Sequence, residues 1–176
     1  MASTDDAAFH RRAIAEFEAP LLRFARTIVG ASAGDVVQDT FERLLAEDRT
    51  KVEGHLGAWL FTVCRNRAIE LKRRSGRDFP MAEDDEMMSP DTSPEGAALK
   101  QDQRRALRAL LDTLPERQRE VVALRFAGGL SYQEIAHVTK LSSTNVGFIL
   151  HTALKSLRQK LADIEAESAR GARRPS

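Results

Sequence analysis

Apolar residues recur along this chain at three- and four-residue spacings, and alternating runs that would mark strands are missing. Phe17, Leu21, Phe24 and Ile28 stripe a first helix, which Gly30 is placed to stop. Asp35 fits the N-cap of a second helix carrying Val37, Phe41, Leu44 and Leu45. The stretch from Glu47 to Gly57 is polar and holds two glycines, so a loop is predicted there. A third helix follows with Leu56, Leu60, Val63 and Leu71 on one face, and it closes on Lys72, Arg73 and Arg74, cations that suit a helix C-terminus. Residues 75–97 break the pattern with three prolines and too little apolar content for a core.

Periodicity resumes near Ala98. Leu107, Leu110, Leu111 and Leu114 predict an amphipathic helix, and Pro115 suits the first turn of the next. That next helix carries Val121, Val122, Leu124 and Phe126 and stops at Gly128 and Gly129. Ser131 and Glu134 form a capping-box pattern opening a short helix with Ile135, Ala136 and Val138. Ser142, Ser143 and Thr144 open a last helix, striped by Leu150, Leu154, Leu157, Leu161 and Ile164. The pattern predicts an all-α chain of two small helical domains, 8–74 and 98–165, joined by a flexible linker at 75–97 and followed by a disordered tail at 166–176.

Composition sharpens this picture through its distribution. Over the whole chain the formal net charge is only +1. Residues 1–74 hold 12 Lys/Arg against 11 Asp/Glu, residues 75–98 hold 1 against 7, and residues 99–176 hold 14 against 8. A basic C-terminal half suits a polyanionic partner, and the acidic stretch suits a solvated tether. Cys64 is the single cysteine, which excludes an internal disulfide and fits a reducing compartment; its apolar setting predicts an inert core thiol. No apolar run is long enough to cross a bilayer and the N-terminus has no signal-peptide pattern, so a cytoplasmic protein without membrane insertion is expected.

The chemistry points away from catalysis. His10, His55, His137 and His151 are scattered without metal-ligand spacing, and no phosphate loop or nucleophile motif occurs, so neither an enzyme nor a cofactor or metal site is expected. The segment from Ser131 to about Leu161 instead fits a helix-turn-helix, with Ala136 small enough for a close helix crossing and Ile135, Val146 and Leu150 filling the space between the helices. Ser142, Ser143, Thr144 and Asn145 place short hydrogen-bonding groups beside outward backbone N–H groups, an arrangement suited to phosphate. On the second helix, Asp35, Gln38, Asp39 and Glu42 gather on one face opposite Val37, Phe41 and Leu44. An acidic face is wrong for DNA and right for a basic protein surface.

The order of motifs carries a family resemblance. Leu114-Pro115-Glu116-Arg117-Gln118-Arg119-Glu120-Val121, Leu124-Arg125 and Gly129-Leu130-Ser131-Tyr132-Gln133-Glu134-Ile135-Ala136 resemble the fourth region of sigma factors. Asp35-Val36-Val37-Gln38-Asp39-Thr40-Phe41 resembles the second-region helix that docks on the polymerase clamp, and Ala58-Trp59-Leu60-Phe61-Thr62-Val63-Cys64-Arg65-Asn66-Arg67 resembles the helix that opens the −10 element. Two such regions joined by a linker are similar to the extracytoplasmic-function (ECF) type of the sigma-70 family, over nearly all of residues 10–162.

The resemblance implies a non-catalytic initiation factor that binds core RNA polymerase and promoter DNA and is held by an anti-sigma factor. It assigns core binding to Asp35, Gln38, Asp39, Phe41 and Glu42, and −10 contacts to Trp59, Arg65, Asn66, Arg67, Arg73 and Arg74. Trp59 reads as mainly structural with partial strand contact, whereas Asn66 stands where the family places a base-contacting asparagine; the loop from Thr50 to His55 would join that pocket. Contacts to −35 fall to Ser142, Ser143, Thr144, Asn145, Phe148, His151, Lys155 and Arg158. One departure stands out: Gly147 and Ile149 occupy positions where the family often carries cations. Glu83, Asp84, Asp85 and Glu86 would either mimic nucleic acid in a polymerase channel or act as a plain tether. The rival reading, a repressor or activator binding duplex DNA unaided through residues 131–161, leaves the motifs around Asp39 and Asn66 without a role.

Overall fold

The computed structural model describes residues 4–76 and 94–171, and every regular element among them is helical. The N-terminal half comprises α1 (Thr4–Val29), α2 (Ala33–Ala46), the single-turn α3 (Arg49–Val52) and α4 (Leu56–Ser75). On α1 the predicted stripe is real, with Leu21 and Phe24 fully buried and Ile28 nearly so. Gly30 follows at φ 53°, a left-handed conformation that lets the chain turn into a 3-10 segment before α2. Asp35 is not the N-cap of α2; Ser32 occupies that position, and Asp35 lies in the first turn, where its carboxylate faces the positive end of the helix dipole.

The predicted loop between Glu47 and Gly57 contains α3 and a 3-10 turn at Glu53–His55. Asp48 caps α3 by accepting from the Thr50 backbone N–H at 3.0 Å, and Val52 is its one buried anchor. A single apolar anchor leaves no period to read, which is why the sequence pattern shows only polarity there.

On α4 the buried seam is Ala58, Leu60, Phe61, Cys64 and Ala68, while Leu56, Val63 and Leu71 sit at its margins. Small residues in the seam let neighbouring helices approach from more than one side. Burial pushes the Cys64 thiol up to about 12, so it is a core group and no nucleophile.

The C-terminal half comprises α5 (Pro94–Asp112), α6 (Glu116–Phe126), α7 (Tyr132–Thr139) and α8 (Ser143–Gly171). Leu110 and Leu114 are buried, but Leu107 and Phe126, both assigned to apolar stripes by spacing, are exposed. The α7 capping box is complete: the Glu134 N–H donates to the Ser131 hydroxyl, and the Ser131 N–H donates to the Glu134 carboxylate at 2.8 Å. Between α7 and α8, Lys140 takes a left-handed φ of 57° while the Leu141 N–H returns to the Ala136 carbonyl, the hydrogen-bonded turn of a helix-turn-helix. The last helix continues to Gly171, although composition predicts a disordered tail from residue 166. The acidic residues Glu83 to Glu86 lie outside the described residues.

The halves are not joined by chain connectivity alone. Buried apolar residues from both form one continuous cluster. Beside it lies Gly128, where an added Cβ would lie 2.9 Å from the Phe61 ring and 2.7 Å from the Leu124 carbonyl, so a larger residue does not fit without displacing the backbone. Nearby, Gly57 of α4 lies against Phe17 and Leu130, the latter almost fully buried.

Candidate functional site

Three exposed surfaces follow from how the helices bury their apolar sides. On α2, Val36, Val37, Thr40, Phe41 and Leu44 turn inward and leave Asp35, Gln38 and Glu42 in solvent. The Gln38 amide donates to Glu42 at 2.9 Å, ordering two of these groups against each other. Phe41 is only 9% exposed and packs in the core beneath this face. Asp39 is half-buried and accepts from Arg67 Nε across the gap to α4. That bond, reinforced by charge and by Glu70, holds the Arg67 guanidinium above its ordinary pKa. The two residues expected to contact separate partners therefore contact each other.

The helix α4 presents different chemistry on each side. One side carries Trp59, Val63, Asn66 and Arg73, which fall on one helical stripe. Trp59 is half-buried and packs against the core, whereas Asn66 and Arg73 are exposed. Toward α2, Arg67 meets Asp39, while Arg74 pairs with Glu70 one turn earlier on α4 itself. Toward α6, Arg65 Nε donates to Glu120 at 2.6 Å, with only 15% and 12% of the two side chains exposed, and Lys72 Nζ lies 2.8 Å from Glu116. Arg65, expected to contact DNA, is thus committed to an ion pair between the halves. Its sequence context, one cation among many on a basic helix, could not reveal this, because the partner lies 55 positions away.

The helix-turn-helix provides the third surface. Val146, Ile149, Leu150 and Ala153 are buried and fix the rotation of α8. Ser142, Ser143, Thr144, Asn145, Phe148, His151, Lys155 and Arg158 all emerge on the exposed side, so every residue assigned there by sequence is accessible. The Ser142 hydroxyl accepts from the Asn145 N–H at 3.1 Å and caps the helix. Gly147 is occupied on its own side by the Tyr132 ring, 3.4 Å from where a Cβ would stand, and Arg125 lies over that ring at 5.7 Å. Arg125, which the sequence motif includes without a contact role, also donates from its guanidinium to the Leu130 carbonyl at 2.9 Å and so stiffens the entry to α7.

Comparison with known proteins gives two family matches: Sigma-70 region 2 over residues 13–78 and Sigma-70, region 4 over residues 104–157. The ECF RNA polymerase sigma factor SigL of Mycobacterium tuberculosis is 30% identical over 169 residues, spanning 93% of this chain and 94% of that one. SigD of the same species is 30% identical over 80% of this chain and 71% of its own length. Bacillus subtilis SigM is 25% identical over 72% of this chain and 77% of its length. Among solved structures, CnrH in complex with the cytosolic domain of CnrY matches with a TM-score of 0.61 at 25% identity, covering 88% of each chain. The fold also matches the sigma factor RpoE in complex with the anti-sigma factor NepR from Bartonella quintana, with a TM-score of 0.64 at 23% identity, covering 91% of this chain and 98% of that one.

Proposed function

This chain belongs to the ECF branch of the sigma-70 family and directs transcription initiation through regions 2 and 4, and we propose that its three exposed surfaces divide that work. The face of Asp35, Gln38 and Glu42 docks a basic surface of core RNA polymerase, with Asp39 bracing it through Arg67. The Asn66 side of α4 engages the −10 element: Asn66 reads an unstacked base, Trp59 backs it, and Arg73 and Arg74 neutralise strand phosphates. The outward stripe of α8 holds the −35 duplex, with Lys155 and Arg158 on phosphates and Asn145 nearer the bases. The observation that carries this reading is the segregation of these groups onto three accessible faces while Phe41 and Arg65 are taken up internally. The work is cytoplasmic, where polymerase and promoter are; no helix among the described residues is long and apolar enough to cross a membrane.

An anti-sigma factor is the inhibitory partner this reading includes, as in the solved RpoE–NepR complex. A groove lined by Leu107, Leu111, Val122 and Phe126 and rimmed by Arg23 and Arg104 suits an amphipathic helix with acidic flanks. Run-off transcription with core polymerase and a promoter library tests the whole assignment. Initiation should depend on this chain; Asn66→Ala should relax −10 selection, and Asp35→Arg with Glu42→Arg should lower core affinity while keeping a cooperative thermal unfolding transition, with only the small loss of stability that a cation in the first turn of α2 brings. Leu107→Ser with Phe126→Ser should relieve inhibition by the cognate anti-sigma factor in the same assay. Selective binding of promoter duplex without core, with no gain on adding it, would instead establish the repressor reading.

A further inference from the structure

Phe148 is 68% exposed, more than any other large apolar residue among those described. Its position makes that exposure informative. In the first two turns of α8, Val146, Ile149 and Leu150 are buried and Gly147 is covered by Tyr132, while Ser143, Thr144 and Asn145 are short. Phe148 is therefore the one bulky side chain these turns hold outward. It shares its stripe with Asn145 before it and His151 and Lys155 after it, all exposed. A scattered exposed apolar residue needs no explanation, but a phenyl ring in the middle of a DNA-facing stripe cannot bond a phosphate or a base edge. The apolar group that the major groove offers is the C5-methyl of thymine.

We propose that Phe148 is a specificity-determining residue whose ring packs on a thymine methyl in the −35 major groove, so that this chain reads part of its upstream element by apolar contact. The inference rests on α8 being the −35 reader. Removing the methyl from the contacted thymine, as deoxyuridine does, loses about one buried methyl group, or roughly a fourfold drop in affinity.

Holoenzyme reconstituted from core polymerase and the full chain would first select a −35 element from a randomised library. Each thymine of that element is then replaced singly by deoxyuridine and the affinity is measured. Wild-type holoenzyme should lose about fourfold at one thymine. With Phe148→Ser the penalty should vanish at that position, and Phe148→Leu should retain part of it; circular dichroism checks that the variants fold. An enriched −35 element with no deoxyuridine-sensitive thymine would overturn the proposal, as would an equal penalty in Phe148→Ser. Selection that enriches no upstream element would overturn the α8 assignment itself, a separate and distinguishable failure.

Discussion

Lys140 holds a left-handed backbone that a side chain disfavours, at the turn on which the helix-turn-helix depends. Only glycine adopts this conformation without penalty, and the cost for other residues is about 1 kcal/mol. Lys140→Gly should therefore raise the stability of the C-terminal half by about that amount, measured as a higher midpoint in chemical denaturation. The side chain is exposed, so its removal forfeits little packing. Residues were unevenly legible before folding was considered. The accessibility of Ser142 and of the seven groups assigned on α8 was readable because buried Val146, Ile149 and Leu150 fix which side faces outward. Arg65 and Arg67 were not, since a cation on a basic helix looks the same whether it faces phosphate or a carboxylate from a distant segment.

At the scale of elements, α7 shows how much of a short helix depends on its first turn. Eight residues make a marginal helix, and the reciprocal bonds of Ser131 and Glu134 satisfy two donors that would otherwise be unpaired. The bonds from Ser131, its hydroxyl before its backbone N–H, hold the Glu134 carboxyl below its usual range. A depressed carboxylate pKa contributes stability above the unfolded value of 4.5 and loses it as pH falls through the folded value. Glu134→Ala should cost about 1 kcal/mol at neutral pH, and the deficit should shrink below pH 4.5 in urea melts run across a pH series. This element was legible because capping is local chemistry. Strong periodicity likewise exposed α1, whereas α3, with one buried anchor, left no comparable signal.

Across the whole molecule, the two halves share a core and a partly buried ion pair. Pairing between Arg65 and Glu120 lies between the exposed and buried limits for such bridges, so losing one partner should cost about 1–3 kcal/mol. Glu120→Ala should lower the stability of the full chain by that amount, and Arg65→Ala should cost little more once Glu120 is gone. Additive losses in a double-mutant cycle would show that the pair carries no coupling. No pattern along the sequence announces this association, because Phe61 and Leu130 look like ordinary core residues of their own halves.

The fit at Gly128 has a consequence for how such a chain can diversify. With the Phe61 ring where a Cβ would need to stand, the α4 surface and the end of α6 form a matched pair. Halves exchanged between relatives would bring together surfaces selected against different neighbours. A chimaera could keep both sets of contact residues intact and still lose the seam that holds its halves in register. In this chain, exchange of one half should therefore cost stability unless the surface facing it is exchanged as well.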